Sequence, residues 1–184
     1  MGKGQAERLF PLVEELLAEA QLERHDLNAV VVATGPGNFT GVRIGVAAAR
    51  GLGLALGATV VGVSVLEALA YKNGGTCLVT VDARGDQLYW QQFREGDPLI
   101  SPSVNRIDEV AELAGTNQIC AGFRAPDLAE MTNGLLGQSH EIKPSDLIAA
   151  VPHETLGDCP IAAPLYVRPA DAALPSKPLP RILA

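Results

Sequence analysis

Apolar residues recur at helical spacing along the first twenty positions. Ala6, Leu9, Phe10, Val13, Leu16, Leu17 and Ala20 share one face, while Glu7, Arg8, Glu14, Glu15 and Glu19 hold much of the other. The pattern predicts a helix over 5–20, with Leu12 off the stripe and part of a second face covered. A polar connection at 24–28 leads into the apolar run Ala29–Ala33, which reads as a buried strand. Gly35-Pro36-Gly37 can continue neither a strand nor a helix, and Asn38 is placed to cap the helix expected at about 40–56. Thr59–Val63 is a second buried strand, and Ser64 is a good cap for a short helix through Tyr71. The order helix-strand-helix-strand-helix points to a parallel sheet covered by helices.

The pattern changes after Lys72-Asn73-Gly74-Gly75, which reads as a boundary. Runs at 77–82 and 87–93, joined by Ala83-Arg84-Gly85-Asp86, predict a β-hairpin. Helices are expected at about 106–114, 125–133 and 144–151, with a strand at 118–121. The proline-rich tail from Pro152 is expected to be extended, with its last ten residues disordered. The length allows one α/β domain of ordinary size or two small ones, and the boundary would divide the chain into 1–72 and 73–184.

One stripe in the second helix is unusual. Gly41, Gly45, Ala49, Gly53 and Gly57 recur every four residues on one face. A glycine inside a helix costs about 1 kcal/mol against alanine, so several together require close approach by another backbone. Val42, Val46, Ala47, Ala48 and Leu52 stand beside them, so the helix is small or apolar nearly all round. Two of its faces need cover, one from the sheet and one from a helix outside.

Composition narrows the classes. At 47% hydrophobic and 19% charged, the 184 residues can build a core, and with only 4% aromatics that core must rely on Ala, Val, Leu and Gly. The net charge of −7 makes the chain a poor nucleic-acid binder by itself. Cys77, Cys120 and Cys159 are widely spaced and form no CxxC pair, which suits free thiols in a reducing cytoplasm. The polar start Met-Gly-Lys-Gly-Gln does not resemble a secretion signal. The most apolar stretch, 42–56, is interrupted by Arg43 and Arg50 and reads as too short to span a bilayer.

Candidate chemistry is sparse. Gly35-Pro-Gly-Asn-Phe-Thr-Gly41 lies between a strand and a helix, where a phosphate loop would lie. Yet Val42-Arg43 replace the Lys-Ser/Thr pair of a Walker loop, and Gly41 falls one residue late for a dinucleotide fingerprint. A structural turn fits better, and direct nucleotide binding stays open as the minor reading. Asp82, Arg84, Gly85 and Asp86 are either a charged site at a strand end or a solvated turn. His25, His140 and His153 are scattered, with no His-Glu-x-x-His motif, so no metal site is expected. No serine lies in a Gly-x-Ser-x-Gly elbow. No motif demands catalysis.

Several blocks together resemble one family. They are Gly4-Gln-Ala-Glu-Arg-Leu9, Gly35-Pro-Gly-Asn-Phe-Thr-Gly-Val-Arg-Ile-Gly45, Leu56-Gly-Ala-Thr-Val-Val-Gly-Val-Ser-Val-Leu-Glu-Ala-Leu-Ala70, Val81-Asp-Ala-Arg84 with Tyr89, and Pro164-Leu-Tyr-Val-Arg168. They resemble the TsaB (YeaZ) family, with Asn38 where the family usually has Ser. The resemblance implies two small domains of the actin-like ATPase (ribonuclease H-like) fold. It implies a non-catalytic subunit of the bacterial machinery that makes N6-threonylcarbamoyladenosine on tRNA. Such a subunit docks on a homologous catalytic subunit through a helix bundle, and an ATPase subunit completes the assembly.

Carried onto this chain, the docking bundle gives Leu9, Val13, Leu16, Gly41, Val42, Gly45, Val46, Ala49 and Gly53 as partner-binding residues. Asp82, Arg84 and Gly85 become a candidate vestigial phosphate loop, with no metal and no cofactor in the chain itself. ATP is then used by the assembled complex, tRNA is met only through it, and the chain alone is expected to be a cytoplasmic homodimer without a membrane role. The alternative is a nucleotide-dependent or glycoprotease-like hydrolase of the same fold; the family's older peptidase naming belongs to a catalytic relative with a His-x-x-x-His helix, which this sequence lacks. Family members begin with a strand, an Asp-Thr-Ser turn and a hairpin that have no counterpart before the first helix here. The expectation is a truncated first domain with an unpaired sheet edge beside 29–33.

Overall fold

The computed structural model describes residues 4–138, 141–151 and 159–168. Most of the proline-rich tail, together with Ser139, His140, His153 and Ser176, lies outside the described residues, so the expectations placed there are not met by any observation. The elements run α1 (Gln5–Glu19), a single 3₁₀ turn (Arg24–Asp26), β1 (Ala29–Ala33), α2 (Phe39–Leu56), β2 (Thr59–Val63), α3 (Val65–Asn73), β3 (Thr76–Asp82) and β4 (Gln87–Arg94). They continue with β5 (Asp97–Pro98), β6 (Ser103–Arg106), α4 (Ile107–Ala114), β7 (Ile119–Gly122), α5 (Ala125–Met131), β8 (Leu135–Leu136) and α6 (Pro144–Ala149).

The two continuous apolar runs form a parallel pair, in register from Ala29 opposite Thr59 to Ala33 opposite Val63. Parallel strands cannot be joined by a tight turn, and α2 supplies the crossover between them. The hairpin forms as expected, with Thr76 opposite Arg94 and Asp82 opposite Leu88. It is the centre of a six-stranded sheet ordered β5-β4-β3-β7-β8, with β6 also paired to β4. β7 runs parallel to β3, bringing Leu78 beside Cys120.

The short strands β5, β6 and β8 went unseen in the sequence. Two to four residues carry too little periodicity to register, and these strands exist because a longer neighbour offers a free ladder edge. Asn38 occupies the N-cap position of α2, but its side chain makes no capping bond, so the capping expectation is corrected there. Ser64 does cap α3: its Oγ accepts from the Glu67 N–H at 3.0 Å, and its own N–H donates to Glu67 Oε2 at 2.8 Å.

Three apolar clusters build the core. Leu78, Leu88, Trp90, Val110, Cys120 and Leu128 join the large sheet to α4 and α5. Leu66, Leu69 and Ala70 of α3 pack on Cys77, Val79 and Phe93 of the same sheet. Ala68, also on α3, packs with Val61, Val63 and Val151 against the small sheet. One nine-residue helix is thus shared between the two sheets.

Residues 159–168 have no regular structure, yet they are tied at several points. The Leu165 N–H donates to the Thr34 carbonyl at 2.8 Å. Ala162 is buried over Gly62, where an added Cβ would stand 3.3 Å from it. Arg168 donates to Gln87 Oε1 at 2.5 Å and to the Ala83 carbonyl at 3.2 Å.

Candidate functional site

α2 has two faces of opposite character. On the inner face Val46, Ala49 and Gly53 are buried. A Cβ built on Gly45 would stand 3.9 Å from Val32 Cγ2, and one built on Gly53 would collide with Val60 Cγ2 and stand 2.9 Å from the Ala58 carbonyl. The small-residue stripe therefore faces the chain's own β1–β2 sheet. Of the residues expected to meet an outside helix, Val46, Ala49 and Gly53 are turned inward, the close approach at Gly53 is to an internal strand, and Gly45 is half-buried at ordinary contact distance from Val32. Gly41 and Val42 are half-buried, and Val42 turns its methyl groups toward Gly35, 3.4 Å from where a Cβ there would stand.

The helix is also longer than the apolar stretch suggested. Its 18 residues and mean hydropathy of 1.3 are enough, by length and composition alone, to cross a membrane. That corrects the sequence estimate, which began the stretch at Val42 rather than Phe39. The inner face is occupied by packing against the sheet, and Arg43 and Arg50 sit on the outer one.

On that outer face Phe39, Arg43, Ala47, Arg50 and Leu54 are all exposed, Leu54 at 88%. They follow one another at intervals of four, four, three and four residues, a single line along the helix. α1 divides similarly. Leu17 is buried, Leu9 and Val13 are half-buried, and Leu16 is 55% exposed with Phe10 also in solvent. Leu17, Ala18 and Leu22 meet Leu56 of α2 around a shallow cleft of about 460 Å³.

An arginine one turn into α2 is stacked on the residue that opens the helix. Its Nε donates to the Tyr166 hydroxyl at 3.0 Å, and Cζ of this Arg43 lies 3.7 Å from the Phe39 ring centroid. The Tyr166 centroid is 5.4 Å from the same carbon, and the two rings are 6.0 Å apart. In the sequence Arg43 stands out as a break in an apolar run, as a departure from a Walker loop and within a family block, and Tyr166 only within a family block. Nothing short of the tertiary structure places residue 166 against residue 43.

The Gly35–Asn38 loop is a packed turn. Thr34, Gly35 and Pro36 are buried, the Gly35 carbonyl accepts from the Val65 N–H at 2.8 Å, and the Thr34 carbonyl is taken by Leu165. Across the molecule, Asp82 Oδ1 accepts from the Arg84 N–H at 2.8 Å, closing the hairpin turn. Arg84, Gly85 and Asp86 take φ values of 65°, 60° and 61°. Asp82, Arg84 and Gly85 do come together, at a shallow cavity of about 360 Å³ shared with Phe123 and Arg124. Those last two, at the junction of β7 and α5, carried no sequence signal. Arg124 is itself paired to Asp127 at 2.7 Å. Among the described residues no three His, Cys, Asp or Glu side chains converge as metal ligands. Burial pushes the Cys77 thiol up to about 11 and raises that of Cys120, which suits inert packing rather than nucleophilic chemistry.

Comparison with known proteins bears on this geometry. Residues 2–140 match the family model "TsaD: tRNA N6-adenosine threonylcarbamoyltransferase". The chain is 38% identical over 156 residues to the tRNA threonylcarbamoyladenosine biosynthesis protein TsaB of Escherichia coli, covering 76% of this chain and 67% of that protein. It is 39% identical over 170 residues to an uncharacterized Mycobacterium leprae protein, covering 92% of this chain and 46% of the relative, so it spans about half that relative's length. A Mycobacterium tuberculosis protein is 39% identical over 176 residues, with 92% and 78% covered. Among solved structures, a Pseudomonas aeruginosa protein described as similar to peptidase YeaZ superposes with a TM-score of 0.70 at 28% identity, covering 91% of this chain and 86% of its own. YeaZ from Pseudomonas aeruginosa gives 0.61 at 29% identity, with 79% and 76% covered.

Proposed function

Because this chain belongs to the TsaB (YeaZ) family, with its actin-like (ribonuclease H-like) α/β fold, we propose that it is a non-catalytic adaptor in tRNA threonylcarbamoyladenosine biosynthesis. It docks on the catalytic threonylcarbamoyl transferase and supports its activity. An ATPase subunit joins the same assembly, which consumes the ATP and engages tRNA. Alone, in the cytoplasm, the chain pairs with a second copy of itself.

The observation that carries the docking reading is the outer face of α1 and α2. Phe10, Leu16, Phe39 and Leu54 leave large apolar side chains in solvent on the two helices. Large apolar side chains left in solvent on a helix face are the kind of surface that a partner covers. The docking set proposed here takes Leu9, Val13 and Leu16 of α1 with half-buried Gly41 and Val42 of α2, and adds the exposed line Phe39, Ala47, Arg50 and Leu54 to them.

The test is co-purification of the tagged chain with the transferase from its own cell, followed by nucleoside analysis of tRNA in a depleted strain. The expected result is a stable complex and loss of threonylcarbamoyladenosine on depletion. Normal levels of the modified nucleoside in depleted cells would overturn the adaptor reading.

A further inference from the structure

Charge is distributed unevenly over this molecule. The chain as a whole has a net charge of −7. Between Leu27 and Leu66, however, there is no acidic residue, and Arg43 and Arg50 are the only charged ones. Both lie on the outer line of α2, two turns apart. The α2 part of the surface proposed to dock is thus cationic on an acidic protein.

Arg43 is also held in place. Its Nε is used by the Tyr166 hydroxyl, and its plane is covered by Phe39. Among the described residues no carboxylate lies within ion-pair distance of it. Arg43 is exposed, and no hydrogen bond among the described residues takes its two Nη groups, the donors of the fork that matches a carboxylate. A surface arginine ordinarily loses much side-chain freedom on binding; one already stacked on a ring and hydrogen-bonded to a second aromatic residue loses less. Arginine flanked by aromatic rings is also the composition found at the energetic centre of protein interfaces.

We infer that Arg43 is a specificity-determining residue that pairs with a carboxylate on the catalytic partner, and that Tyr166 and Phe39 are positioning residues for its guanidinium. The inference rests on the docking reading above. It adds that the footprint does not end at the helices. It reaches residues 159–168, which Leu165 and Arg168 anchor to Thr34, Ala83 and Gln87.

The test is calorimetric titration of the purified transferase subunit with the full chain over a range of ionic strengths, and thermal melting of each variant. Wild-type affinity should fall as salt rises. Arg43→Met should weaken it roughly tenfold and flatten the salt dependence, with little change in melting. Arg43→Lys keeps the charge but not the fork, and should retain the salt dependence at reduced affinity. Tyr166→Phe keeps the ring and loses the hydroxyl, and should weaken binding severalfold with the salt dependence intact. A complex that forms with wild-type affinity and salt dependence in Arg43→Met overturns the inference while leaving the docking reading standing. So does loss of tRNA binding by the assembled complex with the two-protein affinity unchanged, which would assign Arg43 to phosphate. Absence of any wild-type complex removes the docking reading, and this inference with it.

Discussion

Gly53 lies against Val60 so closely that a single added methyl group would overlap the valine Cγ2. Eight residues earlier on the same face, Gly45 has ordinary contact distance to Val32. Two glycines of one stripe therefore have different reasons to be there.

Gly53→Ala should destabilise the chain by about 1–3 kcal/mol, the usual cost of overpacking. Gly45→Ala should be neutral or stabilise by up to about 1 kcal/mol, since alanine favours the helix and its Cβ finds room. Urea melts of the two variants check both signs. Equal destabilisation would mean that the stripe is uniformly tight.

Arg168 should hold residues 159–168 against the hairpin. Removing it in Arg168→Ala loses the bonds to Gln87 and Ala83, worth about 1–2 kcal/mol for a charged donor that is partly in solvent. Amide exchange at Leu165 should accelerate along with it, because its bond to Thr34 belongs to the same segment. Unchanged exchange at Leu165 would show that Ala162 and Tyr166 suffice as anchors.

Asp146 accepts from the Lys143 N–H at 2.8 Å and from Lys72 Nζ at 3.0 Å, and these bonds hold its carboxyl below the usual range. A depressed folded-state value favours the ionised form in the native chain. Its contribution is therefore complete above the ordinary carboxylate range and is lost as pH falls through the depressed value. Thermal melts from neutral to acid pH should show Asp146→Asn starting less stable than wild type. The gap should close as the acid limb is descended. A constant gap would detach Asp146 from the acid response.

Cys77 and Cys120 should resist thiol reagents in the native chain at neutral pH, because both are fully buried and burial disfavours their thiolates. Half-buried Cys159 should be the first to react. Mass spectrometry after graded labelling would reveal rapid modification of Cys77 if its strand opens readily.

Much of this architecture was legible in the residues themselves. Ala29–Ala33 and Thr59–Val63 are rich in apolar, β-branched residues, and their bounds could be read to the residue, although β1 is only half-buried. Ser64 marked the start of α3 because an N-cap is a local bond, and the structure adds Glu67 as its capping-box partner. The long family block around Gly35–Gly45 carried the family assignment.

What the sequence could not decide was direction and company. A stripe of glycines states that something comes close, and a strand of the same chain satisfies it as well as a partner's helix; only the packing of Gly53 on Val60 turned the stripe inward. The same rotation put Phe39, Arg43, Ala47, Arg50 and Leu54 outward. β8 is a strand because β7 offers it an edge, not because two leucines encode one. Arg43 acquires its orientation from Tyr166, 123 residues away along the chain. Hydrophobic period and local bonds are properties of neighbours in sequence, whereas the choice of which face meets which partner depends on distant segments brought together only by the fold.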